Sequence, residues 1–495
     1  MISRRRTALA LGLAFLLVVV TFFWNRPFST GPTRDGAFFT YVARLATRGT
    51  LPYRDVFFIH AFVHTGLLAA ALATLGKVGL LLVGALVHLA MGAVAALLAL
   101  GLVRERAGRM RCVAGALVAS AVAVGWPFLG EFVVSGGRPK FLALALLAGM
   151  LLALSSRRCL LAGALLALAG LTWQPVAILA VGVVGGFLPG AWTRRGSASE
   201  ADRAPKGRLV LRFVTGGLFA GVPLLLLLVA GGCFEGFLEQ AVGFPLRAPL
   251  RPHPGFVGRV RQVVGLLPLP VLVTGGIGIL ATFLLPWLPG RGEHSSSRSG
   301  SLTGGLLGWL AVYAVYLWFD LDARGDMVPF LIPVGALAGG ALARIARSEG
   351  ATQRLAVASL LFVWLSGGDL VLPHHSSEVY KESERLDPEK AQAIARLAGG
   401  EPVLVFADPL VQNALDLDPL HPYLFWEEGT VSEIWRREEG GLPGFVDRCF
   451  RKRPKVVIVG RRALELLPAI GGRLQSGYEP SPDVERRMLP VWVRR

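Results

Sequence analysis

Between Thr33 and His64 the chain reads TRDGAFFTYVARLATRGTLPYRDVFFIHAFVH, which sets Asp35, Asp55, His60 and His64 among Arg34 and Arg54 directly after an apolar stretch. A carboxylate in such a loop can take the proton of an attacking hydroxyl. Guanidinium groups beside it can hold a phosphate through paired, charge-assisted hydrogen bonds. Asp35 also stands where it could cap a helix running through Ala46. Asp55 is expected to pair with Arg54 or cap the segment that follows, a substrate contact being the alternative. His60 and His64 are one helical turn apart, a spacing that suits a metal. No third ligand lies close by in sequence, so polar contacts at an interface are their expected use.

The elements that must hold this loop are membrane helices. The chain has 495 residues, 53% of them hydrophobic and 17% charged. Apolar runs of about 17–25 residues recur from Leu9 to Leu372, the length that crosses a bilayer core. The formal charge of +18 invites a nucleic-acid reading, but its distribution removes it. From His374 onward there are 18 basic and 19 acidic residues, which leaves 51 − 18 = 33 basic and 33 − 19 = 14 acidic before it. The excess borders the bilayer, where it orients helices and meets anionic lipid.

Arg4-Arg5-Arg6 precedes the first apolar run, Leu9 to Trp24. It places the N-terminus in the cytoplasm and marks this run as a retained anchor. Phe57 to Gly76 is apolar too. If it spans, RERAGRMR (Arg104 to Arg111) falls outside, against the positive-inside bias. If it lies along the outer surface, the next span is Leu80 to Val103 and every later basic loop becomes cytoplasmic. The second arrangement gives roughly eleven spans, a first outer loop of residues 25–79, a membrane domain of residues 1–373 and an extracytoplasmic tail of residues 374–495. In the tail, Pro402 to Ala407 and Lys455 to Gly460 read as strands, and Pro388 to Leu397 and Leu464 to Leu467 as helical. The fold class is therefore an α-helical polytopic membrane protein with a small C-terminal α/β domain.

Under this topology Arg34, Arg54, Arg138, Lys140, Arg247, Arg251 and Arg324 all lie outside, against the usual bias. An anionic headgroup is the simplest common partner. Arg324 and Asp326 flank a short outer turn, where a mutual salt bridge is the alternative to a phosphate contact. Gln174-Pro175 makes a helix-breaking turn whose amide needs a partner. Of the four cysteines, Cys112 and Cys159 open apolar helices as small hydrophobes, and Cys233 and Cys449 could share one compartment and pair.

Asp35-Gly36-Ala37-Phe38-Phe39-Thr40-Tyr41-Val42-Ala43-Arg44, then Gly49, Pro52-Tyr53-Arg54-Asp55-Val56-Phe57 and His60, resembles the first outer loop of the GT-C glycosyltransferases. These include protein mannosyltransferases and bacterial aminoarabinose lipid A transferases. Gly137-Arg138-Pro139, Leu171-Thr172-Trp173-Gln174-Pro175, Phe237-Leu238-Glu239-Gln240 to Phe244-Pro245 and the α/β tail agree in order and sidedness. Gly36 stands where many relatives carry a second acid, Lys140 where an Asp is common, and Trp173 where a Lys is frequent. The resemblance implies a bacterial cytoplasmic-membrane enzyme that uses a polyprenyl-phosphate sugar as donor and a lipid, glycan or protein as acceptor. Asp35 falls on the catalytic acid. Arg34, Arg54, Asp55, His60, Arg138, Lys140, Gln174 and Arg324 are the candidate substrate contacts. With the second acid missing, no divalent metal is carried over. A non-enzymatic multispanning protein is the alternative: a permease, a flippase subunit or an inactive relative of the same fold.

Overall fold

The computed structural model of the chain describes residues 34–103, 109–125, 132–192, 206–247, 255–266, 297–319, 324–345, 388–407, 409–424, 428–460, 468–481 and 490–495, with scattered single positions besides. Among these, Val63–Leu102, Gly207–Ala230 and Ser299–Phe319 are long and apolar enough to cross a membrane, and five shorter apolar helices accompany them. Helices satisfy their own backbone polar groups, the requirement lipid imposes. Leu211, Leu218, Phe219 and Leu227 lie exposed along Lys206–Ala230, a face suited to hydrocarbon rather than water. The expected first span, Leu9 to Trp24, lies largely outside the described residues, as do the apolar stretches after 266 and after 355.

In chain order the helices are α1 (Arg34–Thr47), α2 (Val63–Leu102), α3 (Arg109–Val124), α4 (Pro139–Ser155), α5 (Cys159–Gly170), α6 (Val176–Trp192), α7 (Lys206–Ala230), α8 (Gly255–Leu266), α9 (Ser297–Phe319) and α10 (Val328–Ile345). The division expected near residue 76 is present. Gly76 has φ 60° and ψ −145°, a backbone region open to glycine. There α2 doubles back so tightly that a Cβ on Gly79 would strike the Ala71 carbonyl. Residues 63–75 and 77–102 are thus two arms. Within lipid, packing rather than apolar burial holds helices together. The crossing of α6 and α9 shows this: a Cβ on Gly182, Gly186, Gly304 or Gly308 would collide with the facing backbone.

Residues from 388 on build the tail: α11 (Pro388–Ala398), β1 (Val403–Phe406), α12 (Leu410–Leu415), α13 (Glu428–Arg437), α14 (Gly441–Arg451), β2 (Val456–Val459), α15 (Pro468–Gly477), β3 (Tyr478–Pro480) and β4 (Val491–Arg494). The sheet order is β1-β2-β4-β3. β1 and β2 run parallel with Val403 opposite Val456, and the other two pairings are antiparallel. Alternation divides the two parallel strands between two cores. Leu404, Phe406, Val457 and Val459 join an aromatic cluster with Tyr423, Trp426 and Phe445. Val403, Val405, Val456 and Ile458 pack with Ile394 and Val411. Both expected strands and the helix near 388 are in place; residues 464–467 lie outside the described residues. Cys233 and Cys449 are free thiols in separate cores, so the pairing considered from sequence is corrected.

The tail is seated on segment 41–57. Phe57 enters the tail's aromatic core, with its ring 5.6 Å from Tyr423 and its N–H donating to the Pro422 carbonyl. Tyr41 and Arg44 on α1 and Arg48 in the turn that follows it all meet the tail. Arg44 donates to the carbonyls of Gln412 (2.9 Å) and Asn413 (3.0 Å) and pairs with Asp416 at 2.7 Å. A guanidinium thereby closes the C-terminal end of α12.

Candidate active site in the first outer loop

Asp35 sits in the first turn of α1, where a carboxylate complements the helix dipole. It lies inside the helix rather than at its cap, which corrects the capping alternative. Its carboxylate forms a short ion pair with Arg138, their side chains 30% and 19% exposed. Arg138 is the residue just before α4. Gly136 and Gly137 turn the chain through positive φ, Arg138 is extended, and Pro139 opens the helix. The guanidinium also lies 4.9 Å from the Phe132 ring centre.

Lys140 stands one residue further on, at the positive end of α4, an unfavourable place for a cation. Two partners offset this. Its ammonium is 2.6 Å from Asp326 and 5.1 Å from the Trp173 ring centre. Asp326 thus has Lys140 as an ion-pair partner; the side chain of Arg324, on which the Arg324–Asp326 bridge rests, lies outside the described residues, as does that of Arg34. Arg138 and Lys140 face two carboxylates across the N-terminus of α4, whose positive dipole end suits an anion.

His60 closes one side. Its ring packs against Phe39 at 5.0 Å and Phe58 at 5.7 Å. Burial, with the neighbouring charges of Lys140 and His64, pushes its imidazole down to about 4. It is neutral at ordinary pH. His64 instead turns to the Gly136 carbonyl, 3.1 Å from Nε2, which makes Nε2 the donor and leaves Nδ1 as an acceptor buried without a partner. The two histidines have different partners.

Other candidates are committed elsewhere. Gln174 donates to the carbonyls of Ile59 (3.0 Å) and Ala241 (2.9 Å). Gln240 accepts from the Phe58 N–H (2.9 Å) and donates to the Tyr53 carbonyl (2.8 Å). The two amides clamp segment 53–59 under the site, and sequence reading gave Gln240 no such part. Arg54 pairs with Asp55 at 2.9 Å, and Asp55 accepts from the Leu51 N–H at 2.7 Å. Arg54's hydrogen bond holds the Asp55 carboxyl below the usual range. Arg54 and Asp55 close a local turn, as the pairing reading expects, and their contacts do not reach Asp35.

No protein-family model and no curated protein matches the sequence. Among solved structures, the chain is similar to ArnT from Cupriavidus metallidurans in the apo state. The TM-score is 0.62 and the identity 16%, over 97% of each chain. The likeness is one of fold and spans apolar helices and tail alike: this chain has an ArnT-like fold, mostly helical with a small C-terminal sheet.

Proposed function

We propose that this chain is a membrane glycosyltransferase. It moves a sugar from a polyprenyl-phosphate donor to a lipid, glycan or protein acceptor on the extracytoplasmic side of the bacterial cytoplasmic membrane. The N-terminus is then cytoplasmic and the tail outside. The observation that carries this reading is the Asp35–Arg138 pair at the N-terminus of α4. It joins a base for the acceptor to a cation for the leaving group.

The reaction is a single displacement. The acceptor oxygen attacks the anomeric carbon, the bond from that carbon to the phosphate oxygen breaks, and the phosphate leaves with the electron pair. Asp35 receives the hydroxyl proton. Arg138, Lys140 and the first N–H groups of α4 stabilise the charge that grows on the phosphate. Without substrate, each cation is held by a carboxylate. A donor phosphate competes for Arg138 and releases Asp35, so donor binding prepares the base. His60, neutral and buried, adds no competing charge. Donor sugars of the class ArnT's name implies, and lipid acceptors, are the first to try.

The test uses membranes containing the protein, radiolabelled polyprenyl-phosphate sugars, and extraction of label into lipid, glycan and protein. Asp35→Asn is expected to abolish transfer, with the thermal midpoint within a few degrees of wild type. Transfer at the wild-type rate by this variant removes Asp35 as base. Uptake of polar solute by proteoliposomes, with no transfer from any donor, favours the permease alternative.

A further inference from the structure

The tail carries a second cationic site, apart from the one above. Its net charge is near zero, yet residues 448–455 (RCFRKRPK) hold Arg448, Arg451, Lys452, Arg453 and Lys455 and no acid. The fold brings Arg473 and Arg494 to the same place. Arg453, Arg473 and Arg494 line a cleft of about 520 Å³ together with Phe450, Tyr478 and Ser476.

The commitments of these groups leave room for a ligand. Arg473 pairs with Asp447 at 2.6 Å through Nε and Nη2, which leaves Nη1. Arg494 gives one nitrogen to Glu401 and another to the Arg453 carbonyl. Arg453 has no ion-pair partner among the described residues, and its backbone adopts φ 48°. A left-handed conformation before a proline is unfavourable for a side-chain-bearing residue; it is the sort of cost found where a side chain is positioned for use. Opposite the guanidinium groups, Phe450 and Tyr478 meet edge to face at 5.5 Å. Tyr478 is buried, its hydroxyl spent on the Pro454 carbonyl, and it backs the half-buried Phe450 ring, which supplies the apolar surface.

We propose that this cleft binds a phosphorylated saccharide, its phosphate on Arg453 and Arg473 and its ring against Phe450. Guanidinium forks match phosphate geometry. An aromatic face accepts the C–H side of a sugar ring. Few polar groups converging beside an apolar wall is the usual make-up of a small-ligand site. Bare phosphate needs no such wall, and neutral sugar needs no arginines. The ligand is either a free sugar phosphate or the headgroup of a glycolipid.

The test is titration calorimetry on the purified full-length protein in detergent. The probes are glucose 1-phosphate, glucose, inorganic phosphate and an alkyl glucoside phosphate carried in the micelle. Glucose 1-phosphate is expected to bind saturably and less tightly as salt rises, with inorganic phosphate at least tenfold weaker and glucose silent. Arg453→Ala with Arg473→Ala should weaken it at least tenfold, whereas Arg396→Ala, an exposed arginine of α11, should leave it unchanged. Tighter binding of the alkyl form assigns a lipid-borne ligand, and equal binding a soluble one. Absence of saturable binding overturns the proposal, as does inorganic phosphate binding equally well. Binding that survives the double substitution places glucose 1-phosphate elsewhere, including at Arg138, and overturns it too. The transferase reading does not depend on any of these outcomes.

Discussion

Segment 34–60 takes part in two acid–arginine pairs built in opposite ways. Arg54 and Asp55 are adjacent in sequence, with side chains 47% and 34% exposed. Asp35 and Arg138 are 103 positions apart and mostly shielded. The first pair forms as soon as a short turn closes. The second requires α1, the Gly136-Gly137 turn and the start of α4 to be assembled together. Exposed pairs contribute about 0–1 kcal/mol. Breaking a shielded pair by removing one member costs about 3–5 kcal/mol, since a charge is left stranded. Similar residue types thus fix local chain geometry in one place and, under the proposed transferase reading, set up a reactive centre in the other.

Arg138→Ala is the largest blow to that contrast. It removes the cation proposed for the leaving group and an ion-pair partner of Asp35. Initial rates of sugar transfer should fall by about 10²–10³-fold, equivalent to about 3–4 kcal/mol. Arg138→Lys should recover part of this, because charge returns without the planar fork. A loss of less than threefold in Arg138→Ala would leave the shielded pair no more important than the exposed one.

Acid should reach the same region next. His60 is held at about 4 in the fold against 6.5 when free. A depressed imidazole pKa means that the unfolded chain takes up the proton first. The stabilisation is therefore complete above about pH 6.5, declines as pH falls, and levels off below about 4. The loss over that window is about 3 kcal/mol. His60→Phe, which keeps a ring among Phe38, Phe39 and Phe58, should flatten the dependence of the unfolding midpoint on pH in detergent. Parallel curves for wild type and variant would show that His60 titrates in contact with water.

What could be read from the sequence follows the range of the interactions. Apolar runs and the valine-rich segments at 403–406 and 456–459 announce themselves through local periodicity. Strands β3 and β4 do not: Tyr478–Pro480 is short and ends in proline, and its pairing depends on Val491–Arg494. Asp35 was legible as an acid heading an amphipathic helix, but its partner was not. The same limit hid the Lys140–Asp326 pair, whose members are 186 positions apart. Gln174 sits beside a broken helix end, but its amide is claimed by the carbonyls of Ile59 and Ala241, both distant in sequence. Arg44 carried a readable signal in the Tyr41, Arg44, Arg48 spacing, but that signal pointed to the tail only once α12 was in place.

The smallest expected effect is the most exacting for the contrast. Asp55→Asn keeps an oxygen for the Leu51 N–H and removes the charge opposite Arg54. Arg54 retains the carbonyls of Gly49 and Gly231, each at 3.3 Å, and solvent reaches both side chains. The unfolding midpoint should move by less than about 1 kcal/mol's worth, and transfer should stay within about threefold of wild type. Both quantities can be measured beside Arg138→Ala in the same membranes. If Asp55→Asn lost transfer as severely as Arg138→Ala while keeping its midpoint, the exposed pair would have to act on substrate. Sequence adjacency would then have hidden a second reactive carboxylate, and the division of labour between the two pairs would be wrong.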